Sequence, residues 1–173
     1  RSVKMDKIII DEARVEDAQK LLDYMKIIGG ETDNVTYGKE GIGLSLEQEE
    51  NFIRTNREST TDILLLVKDG DEIVGTGNFT APKRERLKHR GGIGMTIKKS
   101  HWGQGLGSKL LKCVIDFAKN EAKAEIIALE VRTDNERAIR LYEKFGFKIV
   151  GRITGLMKID GKFIDCHMME LIL

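Results

Sequence analysis

The chain has 173 residues, enough for one domain with a substantial core, and its 40% hydrophobic and 33% charged residues are ordinary for a soluble globular protein. A net charge of +1 provides no general basic field for nucleic acid. No apolar run has the length of a membrane span and no signal peptide is recognisable, so we expect a cytoplasmic protein without membrane contact. Its two cysteines lack metal-ligand spacing and suit a reducing compartment, so we expect neither a metal site nor a disulfide.

The N-terminal part of the chain predicts one strand and one helix, followed by a long loop. The stretch 7–13 is rich in β-formers, and we expect residues 1–4 before it to be a cloning remnant or a frayed end. The first helix has an apolar face and is predicted to stop at Gly29 and Gly30. The polar, glycine-containing stretch 30–44 is unusually long for a loop, which is typical of functional or mobile segments.

The middle of the chain predicts a second helix and then a β-hairpin. Ser45 and Gln48 have the spacing of a capping box at a helix start. Two β-rich runs, 63–68 and 73–80, flank the turn signal Asp69-Gly70. The basic stretch 83–90 is interpreted as a solvated loop, with contact to an acidic acceptor or to a cofactor phosphate as the alternative.

A predicted strand over 93–98 leads into three glycines within five residues, Gly103, Gly105 and Gly107, and then into an amphipathic helix. The start of a helix presents unpaired N–H groups and the positive end of the helix dipole. Glycine allows an anion to approach such a backbone closely. This stretch therefore predicts a phosphate site, with a glycine-rich turn that binds nothing as the alternative. The apolar helical face consists of Leu106, Leu110, Leu111, Val114, Ile115 and Ala118.

Two other nucleotide-binding motifs fit this stretch less well. A Walker A loop requires Gly-Lys-Ser/Thr, an order that the residues after Gly107 reverse. A dinucleotide fingerprint matches Gly103-x-Gly105-x-x-Ser108 except for its last glycine, with Glu130 as the acid that would bind a ribose. However, five residues separate the strand from the first glycine, and the chain after Glu130 is too short for a second mononucleotide half. A dinucleotide-dependent oxidoreductase is therefore disfavoured.

The C-terminal part predicts a strand over 124–132, a helix that Gly146 ends, and two strands over 148–152 and 163–173 around the turn Asp160-Gly161. Two signals for the start of this helix overlap. One is a capping box from Thr133 to Glu136, and the other is a cap at Asn135 one turn later.

The glycine loop and the stretch from Asn135 to Phe147 (NERAIRLYEKFGF) together resemble the two central motifs of the Gcn5-related N-acetyltransferases, the GNAT family, over roughly residues 73–150. Residues 102–107 (WGQGLG) match the family pattern Gln/Arg-x-x-Gly-x-Gly/Ala, except that Trp102 replaces the polar residue. The resemblance implies an α/β (α+β) fold in which helices flank a mixed, splayed sheet. We expect a single N-acetyltransferase domain over residues 1–173.

The resemblance also implies where acetyl-CoA binds, namely between the strands 93–98 and 124–132. The backbone of Met95, Thr96 and Ile97 would pair with the pantetheine arm, and backbone N–H groups of residues 103–108 would hold the pyrophosphate. The remaining implied cofactor contacts are Trp102, Gly103, Gln104, Gly105, Leu106, Gly107, Ser108 and Asn135.

Glu130 and Tyr142 are the predicted catalytic residues. The run Leu-Glu-Val-Arg at 129–132, with Tyr142 in the next helix, resembles ribosomal-protein alanine N-terminal acetyltransferases, in which these positions serve as base and acid. For Tyr142 the alternative is a core aromatic, and for Glu130 an exposed strand residue, because alternation alone does not show which face it takes.

These motifs imply an acetyl-CoA-dependent N-acetyltransferase that acts on a primary amine of a small molecule or a protein. The stretch 153–173 is unlike the alanine-specific group, so the acceptor does not carry over. We expect the loop 30–44 and the C-terminal hairpin to frame the acceptor site. A non-catalytic CoA-binding sensor is the alternative function. A dimer is compatible with both the enzyme and the sensor.

Overall fold

An eight-stranded mixed sheet organises the part of the chain that the computed structural model describes, residues 2–5 and 7–173. The strands in chain order are β1 (Val3–Met5), β2 (Ile8–Glu12), β3 (Ile63–Asp69), β4 (Glu72–Thr80), β5 (Arg90–Ile97), β6 (Ile126–Arg132), β7 (Lys148–Ile159) and β8 (Lys162–Ile172). Across the sheet they follow the order β1-β2-β3-β4-β5-β6-β8-β7. β5 and β6 are parallel, whereas the other neighbouring pairs are antiparallel.

Helices cover both faces of this sheet. They are α1 (Ala18–Glu31), α2 (Leu46–Glu58), α3 (Leu106–Asn120) and α4 (Glu136–Lys144), with 3₁₀ turns at Val15–Asp17 and Lys99–His101. Alternate residues of β3 belong to different core clusters: Leu64 and Leu66 pack with α1 and α2, and Leu65 and Val67 pack with α3. Each helix pair therefore buries its own apolar face against one side of the sheet. Within the described residues, no helix is both long and apolar enough to cross a membrane.

The sheet opens between β5 and β6. These strands pair only from Arg90 opposite Ile126 to Gly92 opposite Ala128. Both then continue without pairing to each other, β5 along β4 and β6 along β8. Their inner edges therefore diverge, and the backbone groups there must be satisfied by solvent or by a ligand. This geometry confirms the mixed, splayed sheet that the sequence predicted.

The first helix does not stop at Gly29 and Gly30, and that prediction was wrong. α1 continues through both glycines to Glu31. A Cβ at Gly29 would lie 1.9 Å from the carbonyl oxygen of Gly38. The missing side chain at Gly29 therefore allows the helix to lie directly against the loop that follows it.

Other element boundaries also differ from the predictions. Residues 3–5 form β1, which the sequence did not predict, while Arg1 lies outside the described residues. β7 continues to Ile159 instead of ending near residue 152. Of the two overlapping signals at the start of α4, the structure has the cap at Asn135, whose side-chain oxygen accepts a hydrogen bond from the Ala138 N–H at 3.3 Å.

Glu49 is an ionisable side chain inside the α1/α2 layer. It has no exposed surface, and within the described part of the chain neither carboxylate oxygen has a hydrogen-bond partner. Burial disfavours the charged form, so the pKa of Glu49 is raised above its ordinary value of 4.5. The folded protein therefore binds a proton at the Glu49 carboxylate more tightly than the unfolded chain does. This protonated side chain contributes most to stability below pH 4.5, and the contribution is lost as the pH rises.

We predict that Glu49→Gln becomes progressively more stable than the wild type as the pH is raised from 4 to 8, because glutamine never has to bury a charge. Urea unfolding at a series of pH values measures this difference in the free energy of unfolding. The control is Glu47→Gln, an exposed glutamate on the same helix, for which no such gain is expected. Parallel pH profiles for the wild type and Glu49→Gln would show that the buried carboxylate is solvated or paired.

Candidate active site

The opening between β5 and β6 forms a cleft of about 920 Å³. The end of β5, the glycine loop, the starts of α3 and α4, part of α1 and the loop after α1 all contribute to its walls. The cleft therefore passes between the two faces of the sheet. A ligand in it could contact the α3/α4 side and the α1/α2 side at once.

The glycine loop lines one end of this cleft. Gly103 and Gly105 have φ angles of +76° and +75°, in the left-handed region that favours glycine. α3 begins directly afterwards at Leu106, and its first main-chain bond runs from the Lys109 N–H to the Gly105 carbonyl. The N–H groups of residues 106–108 therefore have no acceptor within the helix, and all three residues line the cleft. This arrangement suits a phosphate group.

Trp102 stands at the mouth of the loop, where the family pattern has a polar residue. Its indole Nε1 donates a hydrogen bond to the Ile97 carbonyl at 2.8 Å. The Arg137 guanidinium lies 4.4 Å from the centre of the indole ring, a cation–π distance. Arg137 also lines the cleft, and sequence analysis missed it. Its position two residues after Asn135 was the signal that could have indicated it.

Tyr142 reaches the cleft from α4. Its side chain belongs to the core on the α3/α4 side, is 8% exposed, and packs edge-on against Phe147 with ring centres 5.6 Å apart. Among the described residues its hydroxyl has no hydrogen-bond partner, and it lines the cleft. Burial raises the pKa of Tyr142 to about 12, so the hydroxyl keeps its proton at neutral pH.

Glu130 reaches the cleft from the opposite face of the sheet. Ala128 pairs with Gly92, so Glu130, two residues further on, shares a face with Gly92 and Thr96. Thr96 is hydrogen-bonded to Tyr24 of α1, so this is the α1/α2 face. Glu130 is exposed, and within the described chain its carboxylate makes no ion pair.

Two hydrogen-bond networks tie this face together, and sequence analysis did not indicate Tyr24, Thr76 or Asp134, which take part in them. Thr96 Oγ1 lies 2.9 Å from the Tyr24 hydroxyl and 2.6 Å from Thr76 Oγ1, which joins α1, β4 and β5. Burial raises the pKa of Tyr24, so its hydroxyl remains protonated. Arg132 makes two hydrogen bonds to Asp134, at 2.9 and 2.8 Å, and a third to the carbonyl of residue 33 in the loop after α1.

Comparison with known proteins assigns the fold to a family. The model of the acetyltransferase (GNAT) family matches residues 33–147, more than half of the chain. The chain belongs to the GNAT acetyltransferase family. The crystal structure of a GNAT acetyltransferase from Streptococcus pneumoniae superposes with a TM-score of 0.92 at 35% identity, covering 96% of this chain and 99% of that one. The resemblance predicted from the two motifs is therefore confirmed.

Two curated relatives are similar to part of the chain. The uncharacterized N-acetyltransferase p20 of Bacillus licheniformis is 29% identical over 108 residues, which is 62% of this chain. The L-amino acid N-acetyltransferase AaaT of Escherichia coli is 30% identical over 101 residues, which is 58% of this chain. The alignments span 60% and 62% of the lengths of these two relatives. Both relatives carry the name N-acetyltransferase.

The structure brings nearly all residues of the predicted GNAT site to one cleft. Gln104 is the exception: it is exposed and does not line the cleft, since it lies between the two left-handed glycines on the outside of the turn. The carbonyl of Ile97 already accepts a hydrogen bond from the Trp102 indole N–H. Of the three residues whose backbone is expected to contact pantetheine, Ile97 therefore has its carbonyl already in use. The predicted residues that line the cleft are Met95, Thr96, Ile97, Trp102, Gly103, Gly105, Leu106, Gly107, Ser108, Glu130, Asn135 and Tyr142.

The predicted frame of the acceptor site is only partly present. Residues 32 and 34–37 of the loop after α1 line the cleft, whereas no described residue of β7 or β8 does.

Cys113 and Cys166 are unpaired and lie outside the lining, and burial raises the pKa of both thiols. Neither cysteine therefore has the lowered pKa of a reactive thiolate.

We predict that Gly105→Ala weakens acetyl-CoA binding roughly tenfold, because a left-handed alanine is strained by ~1–2 kcal/mol and relaxes by turning the N–H donors away. Isothermal titration calorimetry measures the affinity. Gly70→Ala is the matched control, since Gly70 also has a positive φ (+59°), open space around it, and a position outside the cleft. Both variants should lose similar stability; equal acetyl-CoA affinities in the two would argue against the phosphate site.

Proposed function

We propose that this protein transfers the acetyl group of acetyl-CoA to a primary amine of a small molecule or a protein. The observation that carries the proposal is a single cleft with the glycine loop and Tyr142 on the α3/α4 side and an unpaired carboxylate, Glu130, on the α1/α2 side. Family membership and the N-acetyltransferase names of the relatives support it. The two free thiols favour a reducing compartment such as the cytoplasm.

The residues of the α3/α4 side fit acetyl-CoA. The backbone N–H groups of residues 106–108 and the positive end of α3 would hold its pyrophosphate, and Arg137 would add a positive charge at the mouth of the loop. The free inner edge of β5 would provide backbone partners for the amide groups of the pantetheine arm. Once bound, acetyl-CoA supplies an acetyl group activated as a thioester.

Glu130 is proposed as the group that takes the proton of the amine, directly or through water. The amine must be neutral to react, yet a lysine amine titrates near ~10.4 and an α-amine near ~8. A positioned base therefore accelerates the reaction by roughly 10²–10⁴-fold. Glu130 is exposed to the cleft on the side opposite the glycine loop, so an acceptor could approach it without displacing the cofactor.

Tyr142 is proposed to act on the departing sulfur. Its pKa of about 12 keeps the hydroxyl protonated, whereas a thiol titrates near ~8.5. Complete transfer of the phenolic proton to the thiolate would therefore be unfavourable. A hydrogen bond from the hydroxyl to the developing thiolate stabilises the transition state without that cost.

Turnover distinguishes this proposal from a CoA-binding sensor. The enzyme should release CoA from acetyl-CoA continuously when a suitable amine from a broad panel is present, and mass spectrometry should show the acetylated amine. Acetyl-CoA binding without CoA release for any amine would favour the sensor.

We predict that Tyr142→Phe lowers kcat roughly tenfold or more, because a hydrogen bond to a charged group is worth ~1.5–3 kcal/mol. The ring and its edge contact with Phe147 remain, so the affinity for acetyl-CoA should not change. Steady-state kinetics and calorimetry measure the two quantities. Unchanged kcat would leave Tyr142 as a core aromatic.

We predict that Glu130→Gln lowers kcat/KM most at low pH, where the amine is mainly protonated and needs a base. The defect should shrink as the pH approaches the pKa of the acceptor amine, because free amine then becomes abundant without Glu130. Rate profiles from pH 6 to 10 for both proteins provide the measurement. A loss of the same size at every pH would assign Glu130 a binding or structural role instead.

A further inference from the structure

The α1/α2 side of the cleft is lined by apolar and aromatic side chains together with uncharged threonines and asparagines. Phe52 of α2 is 47% exposed although it is a large aromatic residue, and it faces the same cleft as Glu130. Burial raises the pKa of Tyr37, which lines this side from the loop after α1. A group that packs on these side chains gains free energy by leaving water. The apolar and aromatic residues of this lining are Leu21, Met25, Ile28, Val35, Tyr37, Phe52 and Leu64.

The charges on this side are few. Asp134 also lines the cleft, but Arg132 binds it with two hydrogen bonds and lowers its pKa. Glu130 is therefore the unpaired carboxylate among the described residues of this wall. Of the basic side chains in the whole described lining, Arg137 stacks on Trp102 at the glycine loop and His101 is hydrogen-bonded to Asp69 at 2.9 Å. Each of these two side chains is therefore already engaged by another residue.

This distribution of charge discriminates between amines. A polyamine would bring further ammonium groups beside apolar side chains, where Glu130 can neutralise only one of them. A free amino acid would bring a carboxylate to a wall whose described residues offer no unpaired cation. An uncompensated charge is costly to remove from water. An uncharged apolar or aromatic group would instead pack against Phe52 and Tyr37.

We propose that the acceptor is a monoamine whose amine is attached to an uncharged, apolar or aromatic group. This inference rests on the proposed acetyl transfer at the same site. In that reaction the amine nitrogen forms a bond to the acetyl carbonyl carbon and the carbon–sulfur bond of the thioester breaks. Glu130 takes the proton that the amine loses, and CoA leaves as the thiolate and takes up a proton from solvent.

The test compares three amines: phenethylamine, L-phenylalanine and spermidine. Phenethylamine and phenylalanine differ only in the carboxylate, and spermidine carries several ammonium groups. The rate of CoA release is measured for each and normalised to the fraction of neutral amine at the working pH. We expect kcat/KM for phenethylamine to exceed both others by roughly tenfold or more. Calorimetry with protein saturated with CoA should show the same order of affinity without any turnover.

Phe52→Ala tests the wall directly. This change should raise the KM for phenethylamine and reduce its advantage over spermidine, while acetyl-CoA affinity stays unchanged. Phe163→Ala is the matched control, since Phe163 is 70% exposed on β8 and does not line the cleft. An equal change in both variants would overturn the assignment of this wall to the acceptor.

The amines that are acetylated show which of the two proposals fails. Acetylation of spermidine or phenylalanine as fast as that of phenethylamine would overturn the inference about the acceptor and leave acetyl transfer intact. If phenethylamine neither reacted nor bound the CoA complex while another amine of the broad panel was acetylated, the inference about the acceptor alone would fall. If no amine of the broad panel were acetylated, both proposals would fall.

Discussion

The early end of pairing between β5 and β6 is the constraint on which the rest of the structure depends. Three residue pairs join these parallel strands, and each strand then follows a different antiparallel neighbour. Unpaired backbone groups along an inner edge are costly to bury without a partner. The fold therefore keeps a cleft where a continuous sheet would have had a core. A ligand with amide groups along its length could complete that edge like an added strand.

The same opening separates two chemical environments. On the α3/α4 side, helix N–H groups and Arg137 favour an anion, and a buried tyrosine keeps its proton. On the α1/α2 side, the wall is made of apolar and uncharged polar side chains, with the carboxylate of Glu130 and the paired Asp134 as its charged groups. A phosphate and an ammonium group would thus be drawn to different sides of the sheet. The reacting atoms would meet in the gap between the strands, where both sets of side chains reach.

The sequence predicted the local features of this site well and the long-range ones poorly. The left-handed turn at Gly103 and Gly105 and the cap at Asn135 depend on neighbouring residues, so the motif contains them. The contact of Thr96 with Tyr24 joins residues 72 positions apart, and no periodicity reports it. α1 was predicted to end too early because Gly29 was interpreted as a helix stop. In the structure Gly29 instead allows the helix to lie against Gly38, nine residues later in the following loop. The face taken by Glu130 also required the register of β6 against β5.

Trp102 departs from the family pattern, and its contacts bring another cationic side chain to the same place. A polar side chain at this position could contact a cofactor directly, whereas the indole has one N–H and uses it on the Ile97 carbonyl. That bond fixes the ring at the end of β5, and the ring in turn holds the guanidinium of Arg137 against its face. Under the proposed function, Arg137 in the first turn of α4 would supply beside the glycine loop the positive charge that an arginine at position 102 would bring. Tryptophan at position 102 leaves the backbone donors of residues 106–108 unchanged.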